Sequence, residues 1–88
     1  MSILSDNLRY LRALRNSSQQ KIADSLIISR ARYSKYEEAL SEPPLVILKR
    51  LSEFFEVSID MLITVDLRQT SLQEREVTYR NRVGQRVL

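Results

Sequence analysis

Eighty-eight residues, 43% hydrophobic and 28% charged, suffice for one small soluble domain with a modest core. With no cysteine and no histidine the sequence excludes a disulfide framework, thiolate chemistry and the common transition-metal ligand sets, and nothing in it implies a cofactor. One glycine and two prolines leave few sharp turns, which points to an all-helical chain, and the net charge of +3 gains meaning only once it is located.

The N-terminal MSILSDN lacks a positive segment followed by a long apolar one, and no apolar run reaches the roughly 18 residues a membrane helix needs. The expected location is therefore cytoplasmic. A first helix is expected from Asp6 to Arg15, capped by Ser5, with Leu4, Leu8 and Leu11 on one face and Leu14 near its edge. Arg9, Arg12 and Arg15 follow at three-residue steps and drift across the exposed side.

Residues 18–38, SQQKIADSLIISRARYSKYEE, read as a short helix, a tight turn and a second helix. Ile22, Ala23 and Leu26 form one apolar stripe, and Tyr33 and Tyr36 begin another. Ser18 and Ser29 are placed to cap the two helices, and Ile28 lies in the turn. So short a turn forces a steep crossing, which small Ala23 accommodates. Two short helices crossing in this way are the helix-turn-helix, whose second helix enters the DNA major groove. Arg30, Ala31, Ser34 and Lys35 lie opposite the tyrosines, with Arg32 at the flank. Arg and Lys reach guanine O6 and N7, and an alanine methyl can meet thymine. Glu37 and Glu38 at the far end are expected to repel phosphate, confining contacts to the first two turns.

Leu40 to Pro44 forms a connector whose Glu42 reads as unhelpful to DNA. Pro44 suits the first position of a fourth helix, where a missing amide costs nothing. Leu45, Leu48, Leu51 and Phe55, with Ile47 and Phe54, make a broad apolar stripe through to Val57, and Ser58 caps a fifth helix, Ile59 to Ile63. Val46, Ile47 and Phe54 exceed what one face of so small a domain can bury, and surplus apolar surface is the mark of an interface. In the tail, residues 66–88, Ser71-x-x-Glu74 is a capping-box signal and Leu72, Tyr79 and Val83 form a thin helical stripe. Val77 and Tyr79 alternate as in a strand, so both conformations stay open there. A tail this polar suits ordering on a partner or a connector to a further segment.

Charge is segregated. Residues 7–36 hold Arg9, Arg12, Arg15, Lys21, Arg30, Arg32 and Lys35 against Asp24 alone. Residues 37–66 hold Lys49 and Arg50 against seven acids, Glu37, Glu38, Glu42, Glu53, Glu56, Asp60 and Asp66. Such a layout turns one face towards a polyanion without making the whole surface adhesive.

The pattern Ser18-Gln19-x-x-x-Ala23-x-x-Leu26-x-Ile28-Ser29-Arg30-x-x-Tyr33-Ser34-x-Tyr36-Glu37, with Pro43 and Val57-Ser58-Ile59-Asp60-Met61-Leu62, resembles the Xre/Cro-like, phage-repressor-like helix-turn-helix family. The likeness covers about residues 4–65. It implies an all-α, compact five-helix phage-repressor-like bundle over 1–65, with the motif at about 19–38 and the arginine-rich tail outside it. It also implies DNA contacts from Gln19, Arg30, Ala31, Arg32, Ser34 and Lys35, and from Arg12 at the phosphate backbone; the alternative for Arg12 is an ion pair with Glu37. A homodimer surface formed by helices four and five follows by the same resemblance, with Val46, Ile47, Phe54, Ile59 and Leu62 as its residues. Two departures stand out: Ile27 replaces the usual turn glycine, and Ala39 the glycine that ends the second motif helix. A left-handed Ile27 would be strained by about 1–2 kcal/mol, so a locally adjusted turn is expected. Some relatives carry a LexA-like peptidase domain beyond such a connector.

The function expected is a sequence-specific double-stranded DNA-binding regulator, a repressor acting as a dimer on a palindromic operator. The alternatives are an antitoxin whose tail binds a toxin, and a protein-interaction module that no longer binds DNA. No triad-like grouping or glycine-rich loop favours an enzyme.

Overall fold

Serine side chains start most of the helices. In the computed structural model, which describes residues 2–69, α1 spans Ile3–Leu14, α2 Gln19–Leu26, α3 Arg30–Glu37, α4 Leu45–Phe55 and α5 Ile59–Thr64, followed by a 3-10 helix at Leu67–Gln69. The Oγ atoms of Ser18, Ser29 and Ser58 each accept an amide three residues on, all at 3.1 Å. These bonds satisfy donors that a helix start leaves unpaired. α1 begins earlier than expected: Ser2, not Ser5, is its cap. Ser2 and Ser5 exchange side-chain-to-amide bonds of 2.9 and 3.0 Å in a reciprocal box. The short Ser5 side chain takes the part usually played by a Glu or Gln, which hid this start from the sequence pattern. Pro44 precedes α4 as its cap residue at φ −65°, one position outside the helix.

The helix ends depart furthest from expectation. Asn16, Ile27, Ala39 and Glu56 all adopt positive φ, between 51° and 60°. Ile27 keeps the left-handed turn (φ 60°, ψ 46°) and is not relaxed away from it. Its amide bonds back to Asp24 and that of Ile28 to Ala23, both at 3.1 Å, the paired closure of a Schellman motif. Arg50 Nη1 donates to the Leu26 carbonyl at 2.8 Å, placing a cation at the negative end of α2. These bonds, with Ile28 packed on the core, hold the strained residue in place. Ala39 repeats the pattern, with Leu40 N bonded to Lys35 O at 2.9 Å.

The core lies between the five helices. Leu8 and Leu11 of α1, Ile22, Ala23 and Leu26 of α2, and Tyr33 and Tyr36 of α3 meet Ile47, Leu51 and Phe55 of α4 and Leu62 of α5. Ile47 and Leu62 are therefore core residues, 2% and 0% exposed, and offer nothing to a second subunit. The apolar surplus read as interface surface is needed to close this small bundle. Val46 is 55% exposed, while Phe54 and Ile59 are half-buried. Phe54 lies edge-on to Phe55 at 4.9 Å, and the Arg15 guanidinium sits 5.1 Å from its ring centre.

Asn7 joins the two ends of the unit. Its buried Nδ2 donates to the carbonyls of Leu62 and Val65, at 2.8 and 2.7 Å, and its Oδ1 accepts from Leu67 N at 3.0 Å. Leu67 is fully buried, so core packing continues past residue 65. The helix and strand readings of the tail at Ser71 to Val83 lie outside the described residues. Among the described residues there is no strand, and no helix is long and apolar enough to cross a membrane.

Ile27 is 78% exposed, so it contributes little to packing. Ile27→Gly removes the left-handed penalty and loses part of that gain to the entropy of the unfolded chain. The expected result is a net stabilisation of about 1 kcal/mol in urea unfolding; a destabilised variant would show that the isoleucine packs in a way its exposure conceals.

Candidate nucleic-acid interface

Three helices meet at one carboxylate. Glu37, in the last turn of α3, is 2% exposed. From α1, Arg12 grips it twice, Nε to Oε2 at 2.7 Å and Nη2 to Oε1 at 3.1 Å. Gln19, the first residue of α2, donates its side-chain amide to Oε1 at 3.0 Å. Arg9 Nη1 donates to the backbone carbonyl of Glu37 at 2.7 Å. The Tyr33 hydroxyl is buried beside the same carboxylate, close enough to interact although outside strict hydrogen-bond geometry.

The electrostatics follow from these partners. Burial works against the Glu37 charge, but the bonds from Arg12 and Gln19 and the neighbouring Tyr33 hydroxyl outweigh it, so its pKa lies below the ordinary carboxylate value. Burial first, then Glu37, pushes the Tyr33 phenol up, which keeps it protonated. Glu37 in turn holds the Arg12 guanidinium above its usual value. The sequence expectation that Glu37 repels phosphate fails, because its charge is enclosed and matched. Of the two readings for Arg12, the structure places it in the ion pair. Gln19 is turned inward to the same acid.

The outer edge of α3 is built differently. With Tyr33 and Tyr36 committed to the core, Arg30, Ala31, Arg32 and Lys35 stand exposed, and Ser34 is half-buried. Arg32 Nε donates to the Tyr36 hydroxyl at 2.8 Å, which steers that guanidinium along the helix. The side chains of Arg30 and Lys35 hold no ion pair or hydrogen bond with any described residue. Five of the residues expected to read DNA therefore lie on the outer side of α3, while Arg12 and Gln19 are bonded to Glu37. The basic segment is less open than its seven cations imply: Arg9 and Arg12 pair with Asp6 and Glu37, and Arg15 covers Phe54. Sequence reasoning missed Asn7 as a clamp; a lone amide between Leu4 and Leu8 was the available signal.

Losing one partner of a buried, hydrogen-bonded ion pair costs about 3–5 kcal/mol. Because Glu37 has a lowered folded pKa, its stabilisation is complete above the unfolded value of about 4.3 and is lost as pH falls through the folded value. Glu37→Gln is expected to be less stable at pH 7 and to lose less stability than wild type on acidification below about pH 4. Urea midpoints measured across that range check it; parallel acid limbs would mean that Glu37 does not carry the linkage.

Comparison with known proteins agrees with this geometry. A helix-turn-helix family model matches residues 8–62. YonR of Bacillus subtilis (strain 168), an SPbeta prophage-derived HTH-type transcriptional regulator, is 39% identical over 69 residues, 78% of this chain and 64% of its own length. YqaE of the same organism, also an HTH-type transcriptional regulator, is 32% identical over 72 residues, 82% of this chain and 62% of that protein. The HTH-type transcriptional activator BcrR of Enterococcus faecalis is 37% identical over 59 residues, 67% of this chain and 29% of that protein. The chain thus matches less than two thirds of each of these three relatives. No solved structure matches the chain significantly. With the family match extending from α1 to α5, the chain belongs to the Xre/Cro-like helix-turn-helix family of DNA-binding transcriptional regulators.

Proposed function

We propose that this chain is a sequence-specific repressor that binds a palindromic operator in double-stranded DNA as a homodimer. The observation that carries the reading is the cationic edge of α3: the Arg30 and Lys35 side chains are exposed and unpaired, Glu37 is buried and matched by Arg12, and the exposed acids Glu38 and Glu42 hold no ion pair with either cation. A helix edge of this kind fits the major groove, where Arg30 can bond guanine O6 and N7 together, Lys35 can reach a second base and Ala31 a thymine methyl. Arg32 and Ser34 serve a base edge or the adjoining phosphate. Arg12 and Gln19 act mainly by holding α3 at its angle, and the N-terminus of α2 adds main-chain amides for a phosphate.

The dimer is proposed to use the part of the expected surface that remains accessible, Val46 with Phe54 and Ile59, extended by Leu45, which is 73% exposed. Two α3 helices about 34–36 Å apart would then read half-sites one turn apart. BcrR is named an activator, so promoter binding is the common ground with that relative and the sign of regulation is this chain's own. Repression needs only operator occupancy, whereas activation also needs a surface for polymerase. A protein partner for the tail remains compatible with either.

Selection from a random duplex library with the purified chain tests the reading, since it is expected to return an inverted repeat of roughly 10 bp centre-to-centre spacing. Arg30→Ala is expected to weaken that site by about 1–3 kcal/mol and to relax preference at one position per half-site. Electrophoretic mobility shifts on matched and base-swapped duplexes measure both. Uniform, preference-free binding by wild type, or an unchanged preference in R30A, would contradict the proposal.

A further inference from the structure

A notch of about 430 Å³ opens between α3 and the connector that follows it. One wall carries Ser29, Ala31, Arg32 and Lys35, and the other Ser41 and Glu42. The cationic wall is thus the exposed edge of α3 itself. Glu42 is exposed and has no hydrogen bond or ion pair with any described residue, so neither Lys35 nor Arg32 quenches it. The connector is held firmly on both sides. Leu40 N is bonded to Lys35 O at 2.9 Å, Pro43 is buried, and Pro44 is fixed at φ −65°. Glu42 and Lys35 therefore line one notch from two adjoining segments, the connector and α3.

The two walls select a ligand by its pattern of donors and acceptors. A phosphate presents acceptors only and would be repelled by the carboxylate. A base-pair edge in the major groove presents both kinds. In a G·C pair the acceptors N7 and O6 lie together on the guanine side and the N4 donor lies on the cytosine side, whereas in an A·T pair a donor is flanked by acceptors. Only the first pattern is divided as the notch is, with cations on one wall and an acceptor on the other.

Building on the regulator reading, we infer that Glu42 is a specificity residue: its carboxylate accepts from cytosine N4 while Lys35 donates to the guanine of the same base pair. The acid that the sequence suggests is unhelpful to DNA becomes the element that fixes which strand carries the guanine. It also disfavours non-specific seating of a phosphate in the notch.

The test uses the full chain, the duplex returned by selection, and duplexes in which each G·C pair of a half-site is inverted or replaced by A·T. Both side chains are exposed, so E42A and K35A are expected to keep the wild-type melting temperature. Wild type should discriminate at one G·C pair by about 5- to 100-fold, as a good paired contact gives. E42A and K35A should each lose discrimination at that same pair, and the double variant should lose little more than either alone. If E42A instead tightens every duplex alike and steepens the salt dependence, Glu42 faces a phosphate and the assignment is overturned. An unchanged preference in E42A overturns it equally. A wild-type chain without preference for any duplex removes the regulator reading itself, and that result is visible before any variant is compared.

Discussion

The buried carboxylate of Glu37 is the constraint on which the other features of the motif depend. It draws an arginine from α1 and an amide from the start of α2 to the end of α3, with a tyrosine hydroxyl close by. A buried ion is tolerated only when its lone pairs are used and its charge is matched, and here two bonds from Arg12 and one from Gln19 do both. Such a cluster has little freedom: a rotation of α3 about its axis would break bonds to two other helices at once. The angle at which α3 leaves the body of the protein is thereby fixed by polar chemistry, whereas the apolar contacts of Tyr33 and Tyr36 fix its depth. Because the acid is matched internally, its charge is withdrawn from the surface, and the exposed half of the same helix is left with cations.

A second constraint comes from the turns. Among the described residues four helices end on left-handed residues, none of them glycine. Each costs about a kilocalorie per mole in backbone strain for a residue with a Cβ, less for Asn16. The compensation is local, in the paired amide-to-carbonyl bonds after each helix and in Arg50 on the Leu26 carbonyl. The connectors stay as short as glycine would allow, which keeps α2 and α3 in a tight crossing. Asn7 closes the unit from the other end, where three buried bonds attach α1 to the chain leaving α5.

How much of this was legible in the sequence depended on the kind of signal. Helix faces were, because Leu8, Leu11, Ile22, Ala23, Leu26, Tyr33 and Tyr36 follow a 3.6-residue period that burial enforces. Caps at Ser18, Ser29 and Ser58 were, because hydroxyl residues at those places have a direct use. The start of α1 was not: Ser2 and Ser5 form a box whose second member is atypical. Ile27 misled too, since a scarcity of glycine does not remove left-handed turns when Schellman bonds can hold other residues there. Surplus apolar residues on α4 and α5 were divided wrongly, because a periodic stripe does not reveal how wide a face neighbouring helices cover; Ile47 and Leu62 went inward. For the charged residues, the sequence left Arg12 with two readings, a phosphate contact and an ion pair with Glu37, and could not choose between them, whereas Arg30 had no such partner in view. That distinction needs long-range pairing, across 25 residues of sequence, which no local pattern encodes.

The division of labour between those two arginines is the central claim, and side-chain NMR tests it directly. Following the Nε–H signals of Arg12 and Arg30 during titration with an operator duplex separates support from contact. The account predicts that the Arg12 signal is protected in the free protein and little changed at saturation, while the Arg30 signal shifts and sharpens as it bonds to the duplex. An Arg12 proton that exchanges freely with solvent before DNA is added, or an Arg30 signal indifferent to DNA, would contradict it.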